Sequence, residues 1–375
     1  MGGMADQIAI DLTHHFASGV DVHASLDRAV PPGSILVLFG PSGAGKTTVL
    51  RALAGLLRPD CGRIAFGHAT WFDSTAHQFV PPQDRRVGYI TQDTLLFPHL
   101  TVKANIEYGM GRSRDGGRLR TAELMDLVQL RGLEERRPRH LSGGQAQRVA
   151  LARALAPAPP LVLFDEPFAA LDAATRRSLR ADVRRLLRDV GTSAILVTHD
   201  RLEAMAMGDD LAVMVDGRIR QAGPMADVFR RPADSAVARS LGVETILPAL
   251  VEANDGGLVT LRLRHAVLTA LAPLIDTPCA MGDHVFACIR AEDVTVELVE
   301  RAEGHATAAG SARNHLAGTV VAIEPEGAVD RVTIDCGFEL VAAITRQSRE
   351  VLALAPGAPV MAAIKATAIH LVPKV

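Results

Sequence analysis

The chain has 375 residues, of which 48% are hydrophobic and 22% charged, with a formal net charge of −2. At roughly 150 residues per domain this length holds two domains or a little more, and the ordinary globular balance excludes a disordered chain. The near-zero charge excludes polyanion binding by bulk charge, and no apolar run reaches the roughly 18 residues that a membrane-crossing helix needs.

Met1–Gln7 lacks a basic stretch followed by an apolar core, so no secretory signal is expected. Cys61, Cys279, Cys288 and Cys336 stand singly, without a CxxC pair. They point to neither a disulfide framework nor a zinc site, and a reducing, cytoplasmic setting fits them best. From Glu244 onward 16 acidic and 10 basic residues leave −6, whereas the preceding part, with 26 acidic and 30 basic, is +4. Arginine is the default cation. Lys46, Lys103, Lys365 and Lys374 are the only lysines, and the two cations differ in geometry and hydration.

In chain order, Ser34–Phe39 reads as an apolar strand and Lys46–Leu57 as a helix. Gln145–Ala156 reads as a second helix and Pro160–Phe164 as a second buried strand. Leu171–Val190 is helical, because Leu179, Val183, Leu186, Leu187 and Val190 fall on one face. Asp172 caps its start and Gly191 its end. Ala194–Thr198 is a third strand. This alternation, from about Ile8 to Gly223, predicts an α/β fold with a largely parallel core sheet.

After Arg231-Pro232 the pattern changes to short strands between Gly, Asp and Pro: Leu258–Leu263, Val285–Ile289, Val294–Leu298, Gly318–Ile323, Val332–Cys336, Glu339–Ile344 and Val360–Ile364. That predicts a small all-β region of one or two units. Gly282–Val294 and Gly357–Ile369, 75 residues apart, share glycine, valine, alanine, isoleucine, a cation and alanine in register. The direct reading is an internal duplication of a β unit. Arg301–Ala312 reads as a linker between the two copies.

The segment Gly40-Pro41-Ser42-Gly43-Ala44-Gly45-Lys46-Thr47-Thr48 follows a strand and opens a helix. This GxxxxGK[ST] loop lets backbone amides and a helix N-terminus wrap phosphate oxygens. Lys46 reaches the β- and γ-phosphates as a point charge, and Thr47 supplies a hydroxyl to Mg2+. Leu161–Glu166 is an apolar strand ending in two carboxylates at the sheet edge where ligands bind in open α/β sheets. Asp165 would hold Mg2+ through water and Glu166 would polarise the attacking water. Leu141, opening Leu-Ser142-Gly143-Gly144-Gln145, stands 95 residues after Lys46 and 24 before Asp165. Ser142 and Gly144 at a helix N-terminus form a second phosphate-binding surface, which a second copy of the chain would complete.

With these landmarks in order, together with Gln92, Ala170-Leu171-Asp172 and His199, the segment from about 8 to 230 resembles the ATPase cassette of ABC transporters. The resemblance implies a P-loop NTPase fold. It also implies a head-to-tail homodimer with two ATP molecules sandwiched between phosphate loop and signature. Gln92 would contact Mg2+ and the water, Asp172 would lie at the dimer seam, and His199 would touch the γ-phosphate. Phe16, 24 residues before Gly40, is the candidate for stacking on adenine. The apolar loop Thr94–Thr101 would receive a helix of a membrane permease.

The stretch Ser311-Ala-Arg-Asn-His-Leu-Ala-Gly318, with Gly318–Pro373, resembles the molybdate-binding, molbindin-like (TOBE) β-barrel, an OB-like all-β fold. Ser311, Arg313, Thr345, Ser348 and Lys365 match the positions that hold a tetrahedral oxyanion in that family. Two of them are cations, as a dianion requires. The implied division is a cassette at 1–230, a linker at 231–243, a first β unit at 244–300, a linker at 301–312 and the barrel at 313–375. The implied function is the ATP-hydrolysing subunit of an oxyanion importer, with molybdate as the foremost cargo. ATP and Mg2+ would be its cofactors, with molybdate a further ligand of the C-terminal domain. Its partners would be a second copy, an integral-membrane permease and, indirectly, a periplasmic oxyanion-binding protein. It would lie on the cytoplasmic face of the inner membrane as a peripheral subunit. The rival readings are the same machine for sulfate, tungstate, iron, polyamine or sugar, a soluble ABC ATPase acting on nucleic acid or ribosomes, and an oxyanion-responsive regulator. The charge balance and the missing basic helix-turn-helix pattern speak against nucleic acid.

Overall fold

All five residues of Ile35–Phe39 and all six of Ser193–Thr198 are buried. Strands apolar on both faces belong in the middle of a parallel sheet covered on both sides, and the computed structural model places them there. It describes residues 5–17, 19–91, 93–110, 121–169, 171–272, 279–298 and 311–374, in two units, Met1–Val228 and Phe229–Val375.

The first unit is built on β1 (Asp6–His15), β2 (Asp21–Val30), β3 (Ile35–Phe39), β4 (Cys61–Phe66), β5 (Ala69–Asp73), β6 (Gln78–Phe79), β7 (Val87–Ile90), β8 (Leu161–Asp165), β9 (Ser193–Thr198), β10 (Asp210–Val215) and β11 (Arg218–Pro224). They form one 11-stranded sheet in the order β6-β5-β4-β1-β2-β11-β10-β3-β9-β8-β7. The run from β10 to β7 is parallel. From β6 to β2 it is antiparallel. The helix Lys46–Ala54 buries Val49, Leu50 and Leu53 against Ile8, Leu12, Leu38 and Trp71. Each such side chain contributes about 1.5–3 kcal/mol on burial.

The second unit holds β12 (Thr245–Asp255), β13 (Leu258–Arg262), β14 (Val267–Leu271), β15 (His284–Ile289), β16 (Val294–Leu298), β17 (Asn314–Glu326), β18 (Val329–Asp335), β19 (Glu339–Thr345), β20 (Pro359–Ile364) and β21 (His370–Pro373). Two five-stranded sheets, β14-β13-β12-β15-β21 and β16-β20-β17-β18-β19, share one hydrophobic core.

The division into successive β units at 244–300 and 313–375 needs correction. The two units exchange their last strands: β21 pairs with β15 and β16 pairs with β20. The exchange is reciprocal and keeps one register. Cys288 faces His370 as Ala363 faces Thr295, and Val285 faces Pro373 as Val360 faces Leu298. Each pair maps onto the other by the 75-residue repeat. The expected linker at 231–243 is also corrected. It contains the helix Ser235–Ser240, capped by Asp234, whose Ala238 packs with Val243, Cys288 and Val372. Of the second linker, residues 301–310 lie outside the described residues.

Candidate functional site

The phosphate loop runs from the buried end of β3 to the helix that starts at Lys46. Its shape needs glycine. Gly45 has φ 97°, and a Cβ there would meet Val22 Cγ2 at 2.8 Å and Met214 Cε at 2.9 Å. A Cβ on Gly40 would sit 2.0 Å from the Met214 carbonyl oxygen. The far end of the helix is held by Arg85, buried beneath it, which donates to Ala52 O at 2.5 Å and Leu53 O at 2.8 Å. Burial pushes the Arg85 guanidinium down to about 10. Neither Arg85 nor its capping role was legible in the sequence, because Asp84-Arg85-Arg86 looks like a solvated charge run.

Lys46 is buried and donates to Gly40 O and Pro41 O, both at 2.8 Å. Burial holds its ammonium below the usual lysine range, and Glu166 and Asp165 oppose that shift. Thr47 Oγ1 donates to Asp165 Oδ1 at 2.9 Å. These are hard oxygen donors of the kind Mg2+ takes, so the pair fits the metal that a phosphate-loop site uses. Tyr89 OH donates to Asp165 Oδ2 at 3.2 Å. Burial first, then Asp165, push the Tyr89 phenol up to about 12. Tyr89 escaped sequence reasoning, since a tyrosine on a strand does not reveal which carboxylate the next strand brings to it.

Glu166 follows β8 with φ 47°, a left-handed conformation uncommon for a residue with a side chain. Its N–H donates to Val197 O at 3.1 Å. Its Oε1 lies 3.0 Å from His199 Nδ1. Strained backbone of this kind concentrates at functional sites. A cavity of about 370 Å3 is lined by Phe16, Ser42, Gly43, Lys46, Thr47 and Glu166 among others. The structure therefore brings Phe16, whose ring is partly exposed and edge-on to His14, to the phosphate loop. Val20 and Val22 line the same cavity and were not singled out in the sequence.

Ser142, Gly143, Gly144, Gln145 and Asp172 are not among the residues lining that cavity. They form a second group. Ser142 caps the helix Gly143–Leu155: its Oγ accepts from Gln145 N and its own N–H donates to Gln145 Oε1. Gly144 lies so close to Thr175 that a Cβ would approach Thr175 Cγ2 to 2.7 Å. Asp172 caps the helix Ala173–Val190, accepting from Ala174 N and Thr175 N. Hydrogen bonds from Thr175 hold its carboxyl below the usual range. Gln92 lies outside the described residues.

Behind His199, Thr198 Oγ1 donates to the buried Glu203 Oε2 at 2.8 Å, and Asp200 N donates to Thr198 Oγ1 at 3.0 Å. Arg176 Nη2 donates to Leu171 O at 2.8 Å and its Nη1 lies 3.7 Å from Asp200, joining the Asp172 loop to the His199 turn. Burial pushes the Glu203 carboxyl up to about 6. A folded-state value above the unfolded one means that the native state binds more protons, so this group's stability contribution is full below about pH 4.5 and is lost as pH rises through about 6. Glu203→Gln should therefore gain up to about 2 kcal/mol relative to wild type at pH 7, and this gain should shrink at pH 5. Thermal unfolding at the two pH values checks this. A difference independent of pH would refute it.

The expected oxyanion residues are not one cluster within the chain. Asn314 pairs with Ile364, which puts Arg313 and Lys365 near one end of β17. Thr345 pairs with Val329, and Val329 with Glu326, at the opposite end of that 13-residue strand. At about 3.3 Å per residue the two ends are tens of ångströms apart along the strand, too far for one tetrahedral anion. Thr345 and Ser348 instead bond to each other, their hydroxyls 2.8 Å apart, to cap the helix Arg346–Val351. Ser311 is exposed. In the loop after residue 93, Leu95 is 65% exposed, whereas Phe97 packs on Tyr108 and beneath Arg153.

Residues 24–169 match a family model described as ABC transporter, and residues 310–371 one described as TOBE domain. The chain is 44% identical over 262 residues to the Fe(3+) ions import ATP-binding protein FbpC of Pseudomonas fluorescens, covering 68% of this chain and 73% of the relative. It is 39% identical over 325 residues to the protein of the same name from Yersinia pseudotuberculosis, covering 86% and 87%. To the spermidine/putrescine import ATP-binding protein PotA of Ruegeria pomeroyi it is 40% identical over 281 residues, 74% of each chain.

Proposed function

Because the chain belongs to the ABC transporter family, as an ATP-binding subunit with a C-terminal TOBE domain, we propose that it powers an importer by hydrolysing ATP. The observation that carries this is the convergence of Lys46, the Thr47–Asp165 pair and the Glu166–His199 pair at one end of the parallel sheet. Phosphoryl transfer needs positioning and charge stabilisation more than covalent help from the protein. Lys46 and the loop amides would hold the phosphates, and Phe16 would flank the base. Thr47 and Asp165 would hold Mg2+, which neutralises charge on the β- and γ-phosphate oxygens when bound. Glu166 would orient the attacking water and accept its proton, with His199 fixing the carboxylate and reaching toward the γ-phosphate.

Ser142–Gln145 and Asp172 would complete the site of a second copy, so the working form is a homodimer. Leu95 and its neighbours would meet the permease. Among the described residues no helix is long and apolar enough to cross a membrane.

Molybdate was the cargo expected from the Ser311–Gly318 pattern. The relatives named above support ferric iron first and a polyamine second, and the five expected oxyanion positions do not come together within one chain. Uptake of labelled Fe3+, putrescine and molybdate by cells with and without the chain tests the cargo. Loss of Fe3+ uptake that wild-type chain restores would support the reading. Loss of molybdate uptake alone would overturn it.

A further inference from the structure

Each copy of the β repeat ends a strand on a cation: Arg290 follows β15 and Lys365 follows β20, 75 residues apart. Each then turns through a short 3-10 helix, Ala291–Asp293 or Ala366–Ala368, into an exchanged strand. The reciprocal exchange brings both turns to one cavity of about 440 Å3, and Arg290 and Lys365 line it together. Arg230 and Arg231, at the start of the same unit, add to its basic character, and among the described residues Asp293 is the one carboxylate in its lining. This contrasts with the −6 carried from Glu244 onward. His370 registers the local potential. Burial first, then Arg231 and Arg290, hold its imidazole below the usual range, with Nε2 3.2 Å from Pro232 O. The lining also includes the apolar Leu271 and Ile369.

We propose that this cavity binds an organic anion, its phosphate or carboxylate head against Arg231 and Lys365, with Arg290, whose Nη2 donates to Phe229 O at 2.5 Å, adding positive charge behind them, and its apolar body against Leu271 and Ile369. The volume is that of pockets for organic ligands, about 300–1,000 Å3, and far exceeds what an inorganic tetrahedral anion fills. Ser311, Arg313, Thr345 and Ser348 take no part in the lining, so this is not the oxyanion site the sequence pattern implies. Guanidinium groups favour planar, two-point contact with such heads. The duplication supplies the geometry: one cation per repeat, brought to the same side by exchange of the strands that follow them.

The test is calorimetry on the full-length chain in a Lys46→Ala background, which weakens the phosphate loop as a competing anion site. Phenyl phosphate and benzoate are the probes, and the stronger of the two names the head group. Saturable binding is expected for at least one, weakened about tenfold by Lys365→Ala and by Arg231→Ala and restored by Lys365→Arg, as for loss of one charge-assisted contact. Lys365 is exposed, so its replacement leaves the core intact. Benzyl alcohol, which has the body without the charge, should not bind. No saturable binding of either probe at millimolar concentration to the folded chain would overturn the proposal. So would affinities unchanged in both variants, or inorganic phosphate binding as tightly as the better probe.

Discussion

Glu166→Gln is expected to bind ATP as the wild type does and to hydrolyse it about 10²–10⁴-fold more slowly, the range typical for loss of a general base. The substitution leaves Lys46, the Thr47–Asp165 hydrogen bond and the glycine turns untouched, so the binding surface persists. What changes is the proton acceptor. An amide keeps the size of the side chain and can still meet His199 Nδ1, now 3.0 Å from Oε1, but cannot take a proton from water. With turnover blocked, a nucleotide-bound dimer should accumulate and appear in size-exclusion chromatography. Turnover within a few fold of wild type would remove Glu166 from the base role. Loss of ATP binding would instead show that its left-handed backbone, φ 47°, has shifted the loop.

Two inactive variants are expected to restore each other. Ser142→Arg places a cation and a long side chain at a helix N-terminus that would present its amides to the partner's γ-phosphate. Lys46→Ala removes the cation that its own site requires. A mixed dimer of the two holds one site with both defects and one with neither. Hydrolysis should therefore be near background for each variant alone and reappear on mixing. The geometry behind this is the absence of Ser142–Gln145 from the lining of the cavity that holds Lys46. Heterodimers demonstrated by mass and still inactive would mean that each chain works alone.

What the sequence revealed follows from how local each constraint is. The phosphate loop was legible because wrapping phosphate fixes residue types at consecutive positions, and Gly40 and Gly45 are where a Cβ would strike Met214 or Val22. β3, β8 and β9 were legible as unbroken apolar runs. β1 and β2 were not. They alternate buried and wet positions and carry His14, His15, His23 and several acids, so no apolar run marks them. The duplication was visible, but the strand exchange is a choice of distant partner that local pattern does not encode. The expected oxyanion residues lie apart within one chain for the same reason. The motif supplied the right residue types, while pairing across β17, β18 and β19 decided where they lie. Tyr89 and Arg85 act through neighbours that only the fold supplies.

The most direct measurement is steady-state phosphate release by the purified chain from ATP, with and without Mg2+, for wild type and Lys46→Ala. Release should require Mg2+ and fall to background in Lys46→Ala, because both Thr47–Asp165 and the buried Lys46 ammonium are expected to act on the same phosphates. Release that ignores Mg2+, or that survives Lys46→Ala in a folded chain, would contradict an ATPase site at this loop.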